Sequence, residues 1–289
     1  MKIIEPNVGL WIPTNNISHV ARCARICYRK ETGNDAAIYG SLERRNHLSM
    51  YRHETYYSAV PVISKDSLIY QALSGYRYNP YIKYITYKDY CYIVTNGNFL
   101  RDIKNINPLL FDLICRYQIT SEEAEQIEPV WKHFMRYTFC VVTQISTSRE
   151  LNRVSPNNIA EQSTRYVYED GTICRPHWMS DEEVNYLNNE PIFEEWRDSH
   201  KKASIFRDSC NDSFNKYKIL VDIGMHRQDA RGVLPIDTAT KCAYTYSVDE
   251  WRAIIDLRYY GTTGKPHPNC VIISKLIKEN LEKLGYDFR

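Results

Sequence analysis

No stretch of this 289-residue sequence is apolar for long enough to cross a bilayer. The first residues, MKIIEPNVGLWIP, lack the basic start and apolar middle of a secretion signal, so a cytosolic protein free of membrane is expected. Charge of one sign does not dominate either. With 37 Lys and Arg against 35 Asp and Glu, the net charge of +2 gives no global attraction to nucleic acid, and any cationic site must be local. There is no CxxC pair and no HExxH spacing. The nine cysteines are odd in number and irregularly placed, which predicts core thiols in a reducing compartment and no metal. No GxSxG, SxxK or glycosidase-like carboxylate pair occurs. GTTGKPHPN at 261–269 has glycines too close together for a phosphate loop and no hydroxyl after Lys265, so it reads as a connection between helices. Repeats, low-complexity tracts and linkers are also missing, so residues 1–289 are expected to form one domain.

What is present suffices for a sizeable core, at 43% hydrophobic residues. Residues 16–29 read as a helix with Val20, Cys23, Ala24 and Cys27 on one stripe. NHLSMYRHETYYSAVPVI passes from a polar turn into a strand. Between 76 and 92 there are seven tyrosines, which suit packing on a sheet or subunit interface better than base stacking, since few cations accompany them. Asn96-Gly97 is a turn signal beside YCYIV. Thr120 and Glu123 have capping-box spacing and open a helix that must kink or restart at Pro129; Ser247 and Glu250 form a second box. FCVVTQI is a short buried strand or helical turn, and RYVYEDGTICRP reads as a hairpin around Asp170-Gly171 with Arg165 near its first strand. Long helices are expected over about 181–223 and 269–284, each stopped by a glycine. The pattern is α/β with more helix than strand.

SRELNRVSPNNIAEQSTRYV at 148–167 is polar and holds three arginines. Arg149 and Arg153 would share one face of a helix, and Ser163 and Arg165 one face of a strand. Guanidinium forks beside a hydroxyl supply the bidentate, charge-assisted bonds that a phosphate monoester takes. The bland alternative pairs each arginine with an acid such as Glu150 or Glu161. Arg258 falls on the apolar stripe of Trp251, Ile254 and Ile255, where a charge requires a carboxylate or a ligand. Arg231, before a turn ending in proline, can also reach inward. Residues alone lead as far as an arginine-lined site of nucleotide size.

The same stretch resembles the RHRxxSxxxxSxRY signature of the flavin-dependent thymidylate synthases. Ala24 to Tyr28 resembles that family's AARxCY, NHLSMYRH at 46–53 its GHxSxxEH, and Arg231 to Pro235 followed by Leu257-Arg258 its ARxVLP and LR blocks. RYNPY, TNGNFL, RPHW and GTTGKPHP are similar to a longer branch, with a Tyr-rich segment at about 56–118. The resemblance implies an α+β fold with a central, mostly antiparallel sheet flanked by long helices, in a homotetramer with active sites between subunits. It implies FAD as cofactor, NADPH and methylene-tetrahydrofolate as co-substrates, and methylation of dUMP at C5 to dTMP without a cysteine nucleophile. The substrate contacts it implies are Arg153, Glu161, Gln162, Ser163, Thr164, Arg165, Arg231 and Arg258, with Ser163 and Arg258 catalytic and Ser163 and Arg165 on the phosphate. Arg258 would stabilise charge developing on the uracil. Flavin contacts fall on His47, Ser49, Arg153 and Glu161. Five departures stand on the flavin side. Val154 and Ser155 replace the histidine and second arginine, Arg52 replaces a glutamate, and Ser247 and Asp249 replace an asparagine and an arginine. A related C5 methylase or hydroxymethylase, or a nucleotide-binding protein that has lost flavin, stays open.

Overall fold

The computed structural model describes residues 1–64, 67–154, 156–189 and 193–288. Ten strands carry the architecture: β1 (Lys2–Ile4), β2 (Asn7–Trp11), β3 (Tyr56–Pro61), β4 (Ile82–Tyr87), β5 (Tyr90–Thr95), β6 (Gln118–Ile119), β7 (Arg136–Gln144), β8 (Ile159–Glu161), β9 (Thr172–Cys174) and β10 (Ala239–Ser247).

The FCVVTQ part of the FCVVTQI run lies within β7, with Ile145 beginning the next helix; β7 pairs along its whole length with β10, from Ala239 opposite Gln144 to Ser247 opposite Arg136. With β2 and β8 on the outside, these strands form an antiparallel sheet in the order β2-β7-β10-β8. Its continuous apolar character follows from burial on both faces. Phe139, Val141, Tyr244 and Tyr246 enter the main core with Trp251, Ile255, Ile273 and Ile277 from the helices Val248–Ile255 and Pro268–Lys283. On the opposite face, Ala243 and Ala160 are small enough for the helix Asn16–Ile26 to seat Cys23 and Ile26 against them.

A second antiparallel sheet, β4-β5-β3-β6, comes from the Tyr-rich segment. Helices Leu68–Ala72, Gly97–Ile106 and Pro108–Arg116 supply its own cluster, including Ile93, Phe99, Leu110 and Ile114. From its other face Tyr57, Tyr92 and Val94 enter the main core. The expected antiparallel fold with long flanking helices is therefore present, with eight of its strands in two four-stranded sheets and β1 and β9 in a separate pair.

Both capping boxes form, at Thr120/Glu123 and Ser247/Glu250. The chain restarts as a helix at Glu128–His133, with Pro129 in its first turn. GTTGKPHP connects the π-helical turn Asp256–Tyr260 to the helix Pro268–Lys283. Helices over Asp181–Asn189, Glu194–Ser199 and Lys201–Asp222 occupy the 181–223 region. The Asn96-Gly97 turn signal marks a helix start after β5: the Asn96 side chain caps the helix Gly97–Ile106 by accepting from Phe99 N–H, while Lys88-Asp89 joins β4 to β5. Three local expectations are corrected. No hairpin forms around Asp170-Gly171, because β9 pairs in parallel with β1. The helix Ile145–Leu151 ends before Arg153, so Arg149 and Arg153 share no helical face. Ser163 and Arg165 lie beyond β8, in a turn where Tyr166 N–H donates to the Ser163 carbonyl (3.1 Å).

Candidate functional site

The site is built where β8 leaves the sheet. Glu161 is the last residue paired with β10, opposite Cys242. The Gln162 N–H still reaches the Lys241 carbonyl (2.9 Å), and the Ser163 N–H then donates to the Cys27 carbonyl (3.1 Å), which turns the chain away. On one side stands the helix Ile145–Leu151, started by the end of β7. On another is the turn Arg231–Val233, which follows the short helix Arg227–Ala230. Between them lies a cavity of about 620 Å³ lined by Arg149, Glu161, Gln162, Ser163, Thr164 and Arg231, with Ile145, Leu234 and Ile236 as its apolar side.

Glu161 is held by neutral donors. Ser148 Oγ donates to one carboxylate oxygen at 2.7 Å and Thr240 Oγ1 to the same oxygen at 3.3 Å, while Asn152 Nδ2 reaches the other at 3.1 Å. Tyr244 in turn donates to Asn152 Oδ1 (2.9 Å), which fixes the amide orientation. Arg231 donates through Nη1 to Thr164 Oγ1 (2.8 Å) and through Nε to the Gln228 carbonyl (3.0 Å). Gln162 is locked from behind: Arg29 Nε donates to its oxygen and its amide donates to Glu169, each at 3.2 Å. Arg29 also donates to the Tyr168 carbonyl and pairs with Glu169 and Asp170, so one guanidinium ties Gln162 to the far end of the loop. It does so from a left-handed backbone conformation, φ 50°. Burial pushes the Glu169 carboxyl above the usual range, although Arg29 opposes the shift.

The remaining predicted residues separate into groups. Arg165 lines a neighbouring groove with Arg227 and His226, and donates to Gln228 Oε1 (3.3 Å). His47 and Ser49 line a second cavity of about 510 Å³, which Ser163 also borders. Its walls are largely apolar, with Leu42, Met50 and the Tyr28–Tyr166 ring pair at 5.4 Å. Arg153 is exposed in the turn after Leu151 and lines none of these cavities, and Val154 packs against the main core. Ser155 lies outside the described residues. Arg258 is on the π-helical turn, with Nη1 3.9 Å from Glu150 and a buried Nε that has no partner among the described residues. The structure does not bring it to the Ser163 cavity within one chain. On the altered side, Arg52 donates to the Asn157 carbonyl and Asp249 pairs with His133, while Ser247 caps a helix.

Burial raises every one of the nine thiols above the ordinary cysteine value, which works against a thiolate nucleophile. Reasoning from sequence missed Ser148, Asn152 and Thr240, which hold Glu161, and Arg29, which holds Gln162. Their contacts span up to 141 positions and leave no local signal. No helix of the described residues is long and apolar enough to cross a membrane.

Fold and cavity together define an α+β protein with an anion-receptive, arginine-lined pocket at the edge of an antiparallel sheet. Residues 127–270, which contain all of Arg149, Glu161 to Arg165, Arg231 and Arg258, match the family model described as Thymidylate synthase complementing protein, that of the flavin-dependent thymidylate synthases. Two solved structures of PolB, a UMP/dUMP methylase from Streptomyces cacaoi, are similar to the chain. The one bound with 5-Br dUMP has a TM-score of 0.46 at 16% identity, covering 98% of this chain and 93% of that one. The one bound with 5-Br UMP has 0.45 at 15%, covering 98% and 92%. No curated protein sequence matches.

Proposed function

We propose that the chain binds a pyrimidine nucleoside monophosphate in the cavity at Ser163 and methylates dUMP at C5 to dTMP. Methylene-tetrahydrofolate is the one-carbon donor, NADPH the reductant and FAD the cofactor. The observation that carries this reading is the convergence of Arg149, Ser163, Thr164 and Arg231 on one cavity of nucleotide size, inside the segment matched to the family. None of Arg149, Arg165 and Arg231 has a carboxylate within ion-pair distance among the described residues, so their charge is available to a phosphate.

In this reading Arg165 and Arg231, with Ser163 and Thr164, hold the phosphate. Glu161, its oxygens already oriented by Ser148, Asn152 and Thr240, accepts a hydrogen bond from the nucleoside. The second cavity suits a flavin ring. Its apolar and aromatic walls match a planar heterocycle, His47 and Ser49 offer polar contacts, and Arg25, Lys30 and Arg45 at its lining suit an anionic tail. Ser163 borders both cavities, so the two ligands would meet beside it. When bound, FAD supplies the hydride that reduces the transferred methylene to methyl. Arg258 is assigned to a neighbouring chain's cavity in a homotetramer, where its buried, unpartnered Nε would be directed at the uracil.

The exposed position of Arg153 and the burial of Val154 against the core favour a second reading, a nucleotide-binding relative that no longer holds flavin. Purified protein separates the two. An FAD absorbance spectrum with dUMP- and folate-dependent oxidation of NADPH supports the first. Calorimetric dUMP binding with no uptake of added FAD at saturating concentration removes it and leaves the second. Absence of dUMP binding removes both.

A further inference from the structure

Arg231, in the Ser163 cavity, and Arg165, in the groove beside it, are oriented by one residue that carries no charge. Gln228, exposed on the short helix Arg227–Ala230, accepts from Arg165 Nη2 with its side-chain oxygen (3.3 Å) and from Arg231 Nε with its backbone carbonyl (3.0 Å). The other acceptor on Arg231 is the Thr164 hydroxyl (2.8 Å). Arg227, the preceding residue, fixes the same turn by donating to the Tyr166 carbonyl (2.8 Å). Every acceptor in this set is neutral, and neither arginine has an ion pair among the described residues, although Asp229 is adjacent in sequence. The contrast with Arg29, Arg101 and Arg175 is clear, since each of these meets at least one carboxylate within 3.3 Å. An arginine held by a carboxylate has most of its field cancelled; one held by an amide oxygen and a hydroxyl keeps its charge and most of its donors for a ligand.

We propose that Gln228 is a positioning residue that aims Arg165 and Arg231 at a phosphate monoester while leaving their charge uncompensated, and thereby makes the site select a phosphorylated nucleoside over its unphosphorylated form. The choice of nucleoside rests on the pyrimidine reading above; the neutral tethering of two arginines does not. Replacing the amide by a carboxylate at nearly constant shape tests it. In Gln228→Glu the new charge pairs with Arg165, next to Arg231, and competes with the ligand.

Isothermal titration of dUMP, deoxyuridine and inorganic phosphate into wild-type protein and into Gln228→Glu and Gln228→Ala provides the readout. The expected result is that Gln228→Glu weakens dUMP by roughly tenfold or more, leaves deoxyuridine unchanged and keeps the wild-type thermal midpoint. Gln228→Ala loses a smaller part of the preference, because the backbone acceptor for Arg231 stays. An unchanged ratio of dUMP to deoxyuridine affinity in Gln228→Glu, or an equal loss for both, overturns the proposal, as does wild-type protein that takes up neither dUMP nor phosphate. Phosphate binding with the same dependence on Gln228, but with no preference for dUMP, upholds it and overturns the pyrimidine reading alone.

Discussion

Glu54 is fully buried, and its carboxylate is met by Tyr39, by Tyr56 at 3.3 Å and by Arg101 at 3.1 Å. Arg101 also lies 3.5 Å over the Tyr51 ring and bonds the Tyr39 hydroxyl, so the helix Gly97–Ile106 of the second lobe clamps both flanks of the turn that carries His47 and Ser49. Burial raises the Glu54 carboxyl above its ordinary range, against the pull of Tyr39 and Arg101. Gly97 completes the arrangement, because a Cβ there would overlap the carboxylate. Arg101→Ala leaves a buried charge unpaired and is expected to lower stability by about 3–5 kcal/mol in urea unfolding. The double variant Glu54→Gln/Arg101→Met is expected to recover a large share. A loss below about 1 kcal/mol in the single variant would show the pair to be solvent-screened instead. Gly97→Ala is expected to be as damaging as Arg101→Ala. None of this was legible in the sequence. TNGNFL looks like a turn, and only the fold reveals that its glycine makes room for a carboxylate 43 positions earlier in the chain.

Elements are joined across the first sheet by a chain of four polar side chains. His19 on the helix Asn16–Ile26 meets Thr138 of β7 at 2.8 Å, Thr138 meets Thr245 of β10 at 2.6 Å, and Thr245 meets His53 at 2.7 Å. Burial, helped by Arg22 and Arg136, lowers His19 to about 4 from 6.5, and His53 lies well below its ordinary value for the same reason. A folded-state pKa below the unfolded one means that the unfolded chain binds more protons in between. The stability this contributes is therefore complete above about pH 6.5 and is lost as pH falls toward 4. His19 alone is expected to remove roughly 2 kcal/mol at pH 5 relative to pH 7. Urea unfolding of wild type and His19→Gln at the two pH values measures this, and equal pH sensitivity in both proteins would remove His19 as the cause. At this scale legibility follows the range of the interaction. Both capping boxes and the Asn16–Ile26 helix are set by residues three or four apart, and the sequence predicts them. The 165–176 hairpin fails because β9 takes as its partner the first strand of the chain, 170 positions away at Lys2–Thr172.

At the scale of the whole molecule, the two sheets share one core through Tyr57, Tyr92 and Val94, and the cavity forms where β8, the Ile145–Leu151 helix and the Arg231 turn meet. Thr164 and Arg231 touch across 67 positions, a contact that no periodicity shows. The family resemblance places both among the substrate contacts it implies. The same resemblance names Arg258, which one chain does not deliver to that cavity, and this sets up a test of assembly. If active sites form between chains, a Ser163→Ala subunit still offers Arg258, and an Arg258→Ala subunit still offers Ser163. Each variant alone is expected to be inactive with its oligomer intact. Mixed by co-expression at equal amounts and random assortment, about a quarter of the sites would contain both wild-type residues. Activity should then return to about that fraction of wild type, measured as dUMP-dependent NADPH oxidation on purified mixed oligomers. No recovery, with mixing verified by differential tags, would mean that Ser163 and Arg258 serve one site from one chain; the Arg231 turn and the π-helical turn would then have to close on each other when nucleotide binds.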